Sequence, residues 1–216
     1  MECPKVAFVL NELRRLYPDA KTTLDWSNPL ELLVATILSA QCTDARVNMT
    51  TPLLFKKYKR PEDYLKVPVS ELQRDIRSCG AYRAKALAIC ESCRTILEKY
   101  GGEVPQTMKE MLMLRGVGRK TASVVLSTAY KVMEGIAVDT HVRRVSMRLG
   151  LAWHDDPKKI EIYLMEKTPK KNWGDISNLL IAHGRKTCIA RTPRCAGCVF
   201  KFVCPSSRVL FPGCKR

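Results

Sequence analysis

Three groups of side chains along the chain have the types and spacing to do chemistry. The first centres on Lys120, which follows Leu114-Arg115-Gly116-Val117-Gly118-Arg119. Two glycines around one apolar residue make a tight turn that leaves the amides of the next helix start pointing outward. Bare N–H groups at a positive helix end form an anion site suited to a phosphate. Gly116, Val117, Gly118 and Arg119 are therefore candidate phosphate contacts, and a contact made through backbone carries no base sequence. A lysine in that first turn meets phosphate as a point charge. Held near the positive helix end and partly desolvated, it also loses preference for its charged form. A neutral amine can then form a Schiff base with a sugar aldehyde carbon.

The second group is Ala137-Val138-Asp139-Thr140-His141-Val142, with Asp139 placed 19 residues after Lys120. Asp139 reads equally as a helix N-cap or as a carboxylate that stabilises a developing sugar cation or activates a nucleophile. Beside Lys120 it would raise the amine's pKa, against the helix effect, and the sequence leaves that balance open. His141 is placed to buttress such a site rather than to act in it.

The third is Cys188, Cys195, Cys198 and Cys204, four thiols within 17 residues. Four thiolates this close can satisfy one tetrahedral zinc or the four irons of a cubane, and the spacing alone leaves both open. The other CxxC pair, Cys90 and Cys93, falls on an apolar helical stripe and reads as two small core residues. Cys3, Cys42, Cys79 and Cys214 have no ligand spacing.

The elements that carry these groups read as helices almost throughout. Asn28, Pro29 and Glu31 form an N-cap, a first-turn proline and a capping acid ahead of Leu30 to Ala40, which is apolar on nearly every side and belongs inside a core. Asp44 is expected to cap the next helix. Ser70 with Gln73 makes a further capping box, in a helix stopped at Gly80. From Ala84 to Tyr100 the apolar residues recur at three-four spacing and are closed by Gly101 and Gly102. Thr107 and Glu110 cap a short helix ending at Leu114. Asp139 or Thr140 starts a helix ending at Gly150, and Asp156 with Pro157 starts another. The last long helix carries the stripe Ile176, Leu179, Leu180 and His183, with His183 taken as a core residue. No run alternates like a strand with hairpin turns, so the fold class is all-α. After Thr187 the sequence becomes rich in Cys, Pro and Arg, a unit ordered by something other than a core.

Bulk properties narrow the partners. The 216 residues are 46% hydrophobic and 27% charged, which excludes collagenous and disordered classes. Lys and Arg total 37 against 21 acids, a net +16 dispersed through folded-looking sequence. Such an excess calls for an anionic partner, and a phosphate backbone is the commonest one. The apolar run from Leu30 falls far short of the roughly 20 residues that span a bilayer, and no signal peptide is evident. Ten cysteines in an intracellular chain favour metal ligation over disulfides.

Leu114 to Ala122, then Val138 to Val142, then the four-cysteine loop closely resemble the endonuclease III family, bifunctional DNA glycosylases and abasic-site lyases of the helix-hairpin-helix superfamily. Leu38-Ser39-Ala40-Gln41-Cys42-Thr43-Asp44 and Gly184-Arg185-Lys186-Thr187-Cys188 look like family segments too, so the likeness spans about residues 22 to 204. It implies two helical domains: a six-helix barrel at 22–132 with the helix-hairpin-helix at about 107–130, and a discontinuous domain of 1–21 and 133–216 carrying the cluster loop at 188–204. Damaged double-stranded DNA would lie across the groove between them with the damaged nucleotide flipped out. Lys120 would attack the sugar C1′ and displace an oxidised pyrimidine, assisted by Asp139, and the Schiff base would permit β-elimination. Gln41 would fill the gap left by the flipped base. The cofactor would be a [4Fe–4S] cluster on Cys188, Cys195, Cys198 and Cys204. A monomer in the cytoplasm of a prokaryotic-type cell, associated with the nucleoid and with no membrane partner, is expected.

Two positions depart from the family pattern. Arg115 stands where proline is usual, which loosens the turn and adds a cation beside the phosphate. Ala81 stands where some relatives put a leucine wedge, and a methyl group cannot unstack bases as a large apolar side chain does. Two rival readings remain. A non-catalytic binder of DNA structure shares the charge and the hairpin but has no use for Lys120 and Asp139 together. The monofunctional mismatch-adenine branch shares the fold and the cluster but lacks the lysine.

Overall fold

The computed structural model describes residues 4–207 together with 209 and 210; Cys3 and Cys214 lie outside them. Among the described residues the chain forms eleven α-helices and no strand. In order they are α1 (Val6–Leu16), α2 (Pro29–Leu38), α3 (Asp44–Lys57), α4 (Pro61–Lys66), α5 (Val69–Asp75), α6 (Tyr82–Tyr100), α7 (Met108–Met111), α8 (Arg119–Val125), α9 (Thr140–Leu149), α10 (Pro157–Lys167) and α11 (Trp173–Lys186). The chain divides into one compact unit of Thr23–Glu134 and another of Met1–Thr22 with Gly135–Arg216.

The 23–134 unit is built around α2. Its N-terminus is held by Asn28, whose side-chain oxygen accepts from the Glu31 amide at 3.0 Å. The Glu31 carboxylate reaches one residue further back than a capping box requires, to the Ser27 amide at 2.7 Å. Every residue of α2 from Leu32 to Leu38 is buried, as its all-round apolar pattern dictates. Helix α6 packs beside it through Ala86, Ile89, Cys90, Cys93 and Ile96 and stops at Gly101, whose φ is 61°. Cys90 and Cys93 are core residues, as their place on that stripe requires, and burial pushes both thiols up.

Two caps differ from expectation. Helix α3 is capped by Thr43, whose hydroxyl accepts from the Arg46 amide, so Asp44 is its first residue rather than its cap. Helix α5 begins at Val69 behind Pro68, which puts Ser70 inside the first turn, and no side chain caps it. It ends at Asp75 and passes through a 3₁₀ turn at Arg77–Cys79 before Gly80. The cap on Thr107 forms as expected, but α7 is a single turn and closes at Met111 rather than Leu114. Helix α8 runs on through a π-helical turn at Leu126–Tyr130.

The other unit packs α1, α9, α10 and α11 around Leu10, Leu13, Val142, Val145, Leu149, Ile160, Ile176 and Leu180. Asp139 is the cap of α9, and Gly150 ends it with φ 70°. Asp156 caps α10 by accepting from the Lys159 amide at 3.0 Å. Beyond α11 the chain coils back through one 3₁₀ turn, Cys195–Gly197, and only Phe200 and Ser207 between Cys188 and Ser207 are buried.

Candidate functional site

In the 23–134 unit the turn at Arg115–Gly118 is pressed onto α6. Leu114 and Val117 are buried on either side of it. Gly116 has φ +75°, and a Cβ there would lie 2.8 Å from the Ala88 side chain, so backbone conformation and space both demand glycine. Ser92 donates from its hydroxyl to the Arg115 carbonyl at 2.8 Å. The Arg115 guanidinium pairs with Glu91, also on α6, and holds that carboxyl below its ordinary range. The residue that replaces the usual proline therefore tethers the turn to the neighbouring helix, where the sequence suggested a looser turn with a cation beside phosphate.

Gly118 precedes α8 in an extended conformation and, as a glycine, brings no capping side chain to that helix. Lys120 stands in the first turn and is exposed, as is Arg119. Gln41 is exposed too, three residues past the end of α2, in a left-handed conformation with φ 52°. Ala81 takes φ 42° just ahead of α6.

Asp139 belongs to the other unit. Its two hydrogen bonds, from the amides of His141 and Val142 at 2.8 Å, both fall on Oδ1. Among the described residues Oδ2 takes no hydrogen bond, so capping and chemistry do not compete for the same oxygen. His141 is half-buried, and its Nδ1 lies 3.1 Å from an Arg144 guanidinium nitrogen. Burial lowers its pKa, Asp139 opposes that, and Arg144 and Arg185 reinforce it. Gly184 lets α11 approach here, since a Cβ would come within 3.1 Å of His141 and Arg144.

The four thiols of Cys188, Cys195, Cys198 and Cys204 line one concavity, together with Arg148, His183 and Lys201. None is in a disulfide. Burial, reinforced by the neighbouring thiols, pushes Cys198 up and Cys204 to about 11. Among the described residues no three His, Cys, Asp or Glu side chains converge enough to hold a single ion. Four thiols around one concavity are a donor set that fits a thiolate-bound metal centre, whose positive charge would offset their mutual repulsion.

Residues that the spacing did not single out hold this loop. Arg148 donates to Cys188 Sγ at 3.5 Å and to the carbonyls of Ile189 and Ala190 at 2.9 and 2.7 Å. Arg144, one turn earlier on α9, donates to the Cys188 and Gly184 carbonyls at 3.2 and 2.9 Å. Their i, i+4 spacing on one face of α9 is the only sequence signal of that role. His183 is a core residue as expected, 1% exposed, and burial lowers its pKa to about 4. It also borders the thiols, with Nε2 3.7 Å from Cys198 Sγ.

Comparison with known proteins places the chain. Residues 34–170 match the model of the HhH-GPD superfamily base excision DNA repair protein. The chain is 52% identical over 201 residues to endonuclease III of Bacillus subtilis, covering 93% of this chain and 91% of that protein. It is 41% identical over 196 residues to endonuclease III of Escherichia coli strain K12, covering 91% and 92%. A solved non-covalent endonuclease III–DNA complex superposes with a TM-score of 0.91 at 46% identity, covering 96% of this chain and 97% of that one. A trapped endonuclease III–DNA covalent intermediate gives 0.90 at 45% identity, covering 95% and 97%.

Proposed function

The chain belongs to the endonuclease III family of base-excision DNA repair enzymes, DNA glycosylases and abasic-site lyases, and from that premise we propose that Lys120 is its nucleophile, Asp139 its assisting carboxylate and the four-thiol loop the seat of a [4Fe–4S] cluster. The observation that carries this reading is the hairpin. A turn that only glycine can make, pinned to α6, leads into a helix whose cap residue is Gly118, with an exposed lysine directly behind it. Val117 spends its amide on the Leu114 carbonyl at 3.2 Å and closes the turn, so the DNA phosphate would be met at Gly116, Gly118 and Arg119 around it.

The chemistry starts from the free amine. Lys120 Nζ attacks C1′ of a nucleotide that carries an oxidised pyrimidine. The C1′–N bond breaks, and the base leaves with the electron pair and takes up a proton. Opening of the sugar ring gives an imine between Nζ and C1′. Removal of a C2′ proton then expels the 3′ phosphate by β-elimination, which nicks the strand, and water frees the lysine. Asp139 Oδ2, free of the capping bonds, accepts the proton that Nζ must lose or stabilises the cation developing on the sugar.

The cluster would be held by Cys188, Cys195, Cys198 and Cys204; when bound it supplies cationic charge and a cross-link that orders the loop, and no redox step is required of it. Gln41 would occupy the gap left by a flipped nucleotide. The protein would act as a monomer on damaged duplex DNA, in the cytoplasm at the nucleoid.

Borohydride trapping on duplex DNA with one thymine glycol, beside an abasic duplex, tests the reading. A covalent adduct on both is expected. An adduct on the abasic duplex alone would leave a lyase without the proposed base specificity. No adduct on either, with binding intact, would leave a non-catalytic binder.

A further inference from the structure

Lys85 is the one lysine among the described residues that is buried, at 6% exposed, and the proposed reaction makes no use of it. Its ammonium donates to two backbone carbonyls, that of Leu38 at 2.8 Å and that of Cys79 at 2.6 Å. Leu38 ends α2, and Cys79 ends the 3₁₀ turn after α5. Carbonyls at helix ends lack an internal partner and carry the negative end of the helix dipole, which suits a cation. Burial lowers the Lys85 pKa, and Cys42 and Cys79 oppose the shift.

The residues just beyond those two carbonyls give the contact its meaning. Gln41 comes three residues after Leu38 and Ala81 two residues after Cys79. With Lys131 they are the only non-glycine residues of positive φ among the described residues. Two short turns, distant in sequence, thus hold a side-chain residue in a conformation that costs energy, and both are tied at their base to one ammonium. Helix α3 braces the second turn, through the Thr50 hydroxyl 2.8 Å from that of Ser78 and 3.7 Å from Cys79 Sγ.

We propose that Lys85 is a positioning residue that fixes the 39–42 turn against the 79–81 turn, so that Gln41 and Ala81 meet the duplex as one preformed edge at the flipped nucleotide. The inference rests on the proposed DNA contact of Gln41. A small residue at position 81 makes the spacing matter more. A methyl group reaches little way into a base stack, so the edge works only where the backbone beneath it is already set.

The test has a part that needs no DNA and a part that does. Hydrogen exchange on the whole, DNA-free protein compares wild type with Lys85→Met, which keeps the stem and orphans both carbonyls. Amides at 40–42 and 80–82 are expected to exchange at least about tenfold faster together, with the interior of α2 and of α6 beyond its first turn unchanged. Loosening of one turn alone, or of the whole 23–134 unit equally, would overturn the clamp. Should Lys85→Met not fold, Lys85→Gln, with an amide donor on a shorter stem, carries the same comparison.

The second part uses 2-aminopurine opposite an abasic site, alongside trapping on duplex and on single-stranded abasic DNA. Lys85→Met is expected to lose the fluorescence change on binding and to raise KM on the duplex about tenfold, while single-strand trapping stays at the wild-type level. Equal loss on both substrates would make Lys85 merely structural and overturn the proposal. Absence of trapping by the wild-type protein would instead refute the functional reading, and the exchange result would still decide the clamp.

Discussion

The turn that carries Lys120 and the segment that carries the four thiols are both short and largely exposed, and they are held by different forces. The turn is set by packing. Gly116 touches Ala88, Leu114 and Val117 are buried, and Ser92 and Glu91 on α6 grip Arg115 by its carbonyl and its guanidinium. The thiol segment buries only Phe200 and Ser207 and is held at its edges by two arginines of α9. Apolar contact thus fixes the approach to the proposed nucleophile, which must be exact to a fraction of an ångström. In the proposed reading, ligand bonds would fix a surface segment whose job is to stay folded. Damage to the first region should cost chemistry at little cost in stability, and damage to the second the reverse.

The largest expected effects separate the two. Lys120→Gln should lower strand cleavage by roughly three orders of magnitude or more, while abasic-site binding and Tm stay as they were, because an exposed side chain is exchanged. Cys204→Ser should remove the broad absorbance near about 400 nm expected of thiolate-bound iron. It should also cost above about 4 kcal/mol of stability, roughly 8–16 °C in Tm. Absorbance, calorimetry and nicking assays on both variants check the pair. A Lys120→Gln protein that still nicks, or a colourless wild type holding one zinc, would break the comparison at its root.

A middle-sized effect tests whether packing alone sets the hairpin. Gly116→Ala meets two penalties, a positive φ of 75° and a methyl group 2.8 Å from Ala88. Together these should cost about 2–4 kcal/mol. Adding Ala88→Gly removes the collision but not the backbone strain. A double-mutant cycle by urea unfolding should therefore recover about 1–2 kcal/mol of the loss as coupling. Strict additivity would show that φ alone fixes the glycine and that the turn is not seated on α6.

The same division explains what was legible in the sequence. Local rules carried the caps at Asn28, Thr107, Asp139 and Asp156, the apolar α2, and the burial of Cys90 and Cys93, since each depends on residues within one turn. The caps of α3 and α5 differ from the expected ones by one or two residues because neighbouring positions compete. Thr43 and Asp44 can both cap, and Pro68 starts a helix as readily as Ser70 continues one. Lys120, Asp139 and the four cysteines stand out because their chemistry is unusual at that spacing. Lys85 does not. A lysine on a helix reads as solvated until two carbonyls from distant elements are brought to it. The role of Arg115 is hidden for the same reason, because its partner Glu91 lies 24 residues away.

That hidden pairing leads to the smallest effect. Were Arg115 to meet a phosphate, its loss would flatten the salt dependence of DNA binding by about one counterion, since log K falls with log salt by roughly 0.9 for each phosphate neutralised. Paired with Glu91, the guanidinium is already neutralised and holds the turn instead, so Arg115→Ala should leave that slope unchanged. Glu91→Gln is the sharper probe. It removes a carboxylate from beside the hairpin and releases the guanidinium, so the slope should steepen by about one unit and low-salt affinity should rise. The turn keeps the Ser92 bond and the Gly116 contact throughout, and catalysis on saturating DNA should not change. A flatter slope in Arg115→Ala, with no change in Glu91→Gln, would return Arg115 to the phosphate and leave the hairpin held by apolar contact and one hydroxyl.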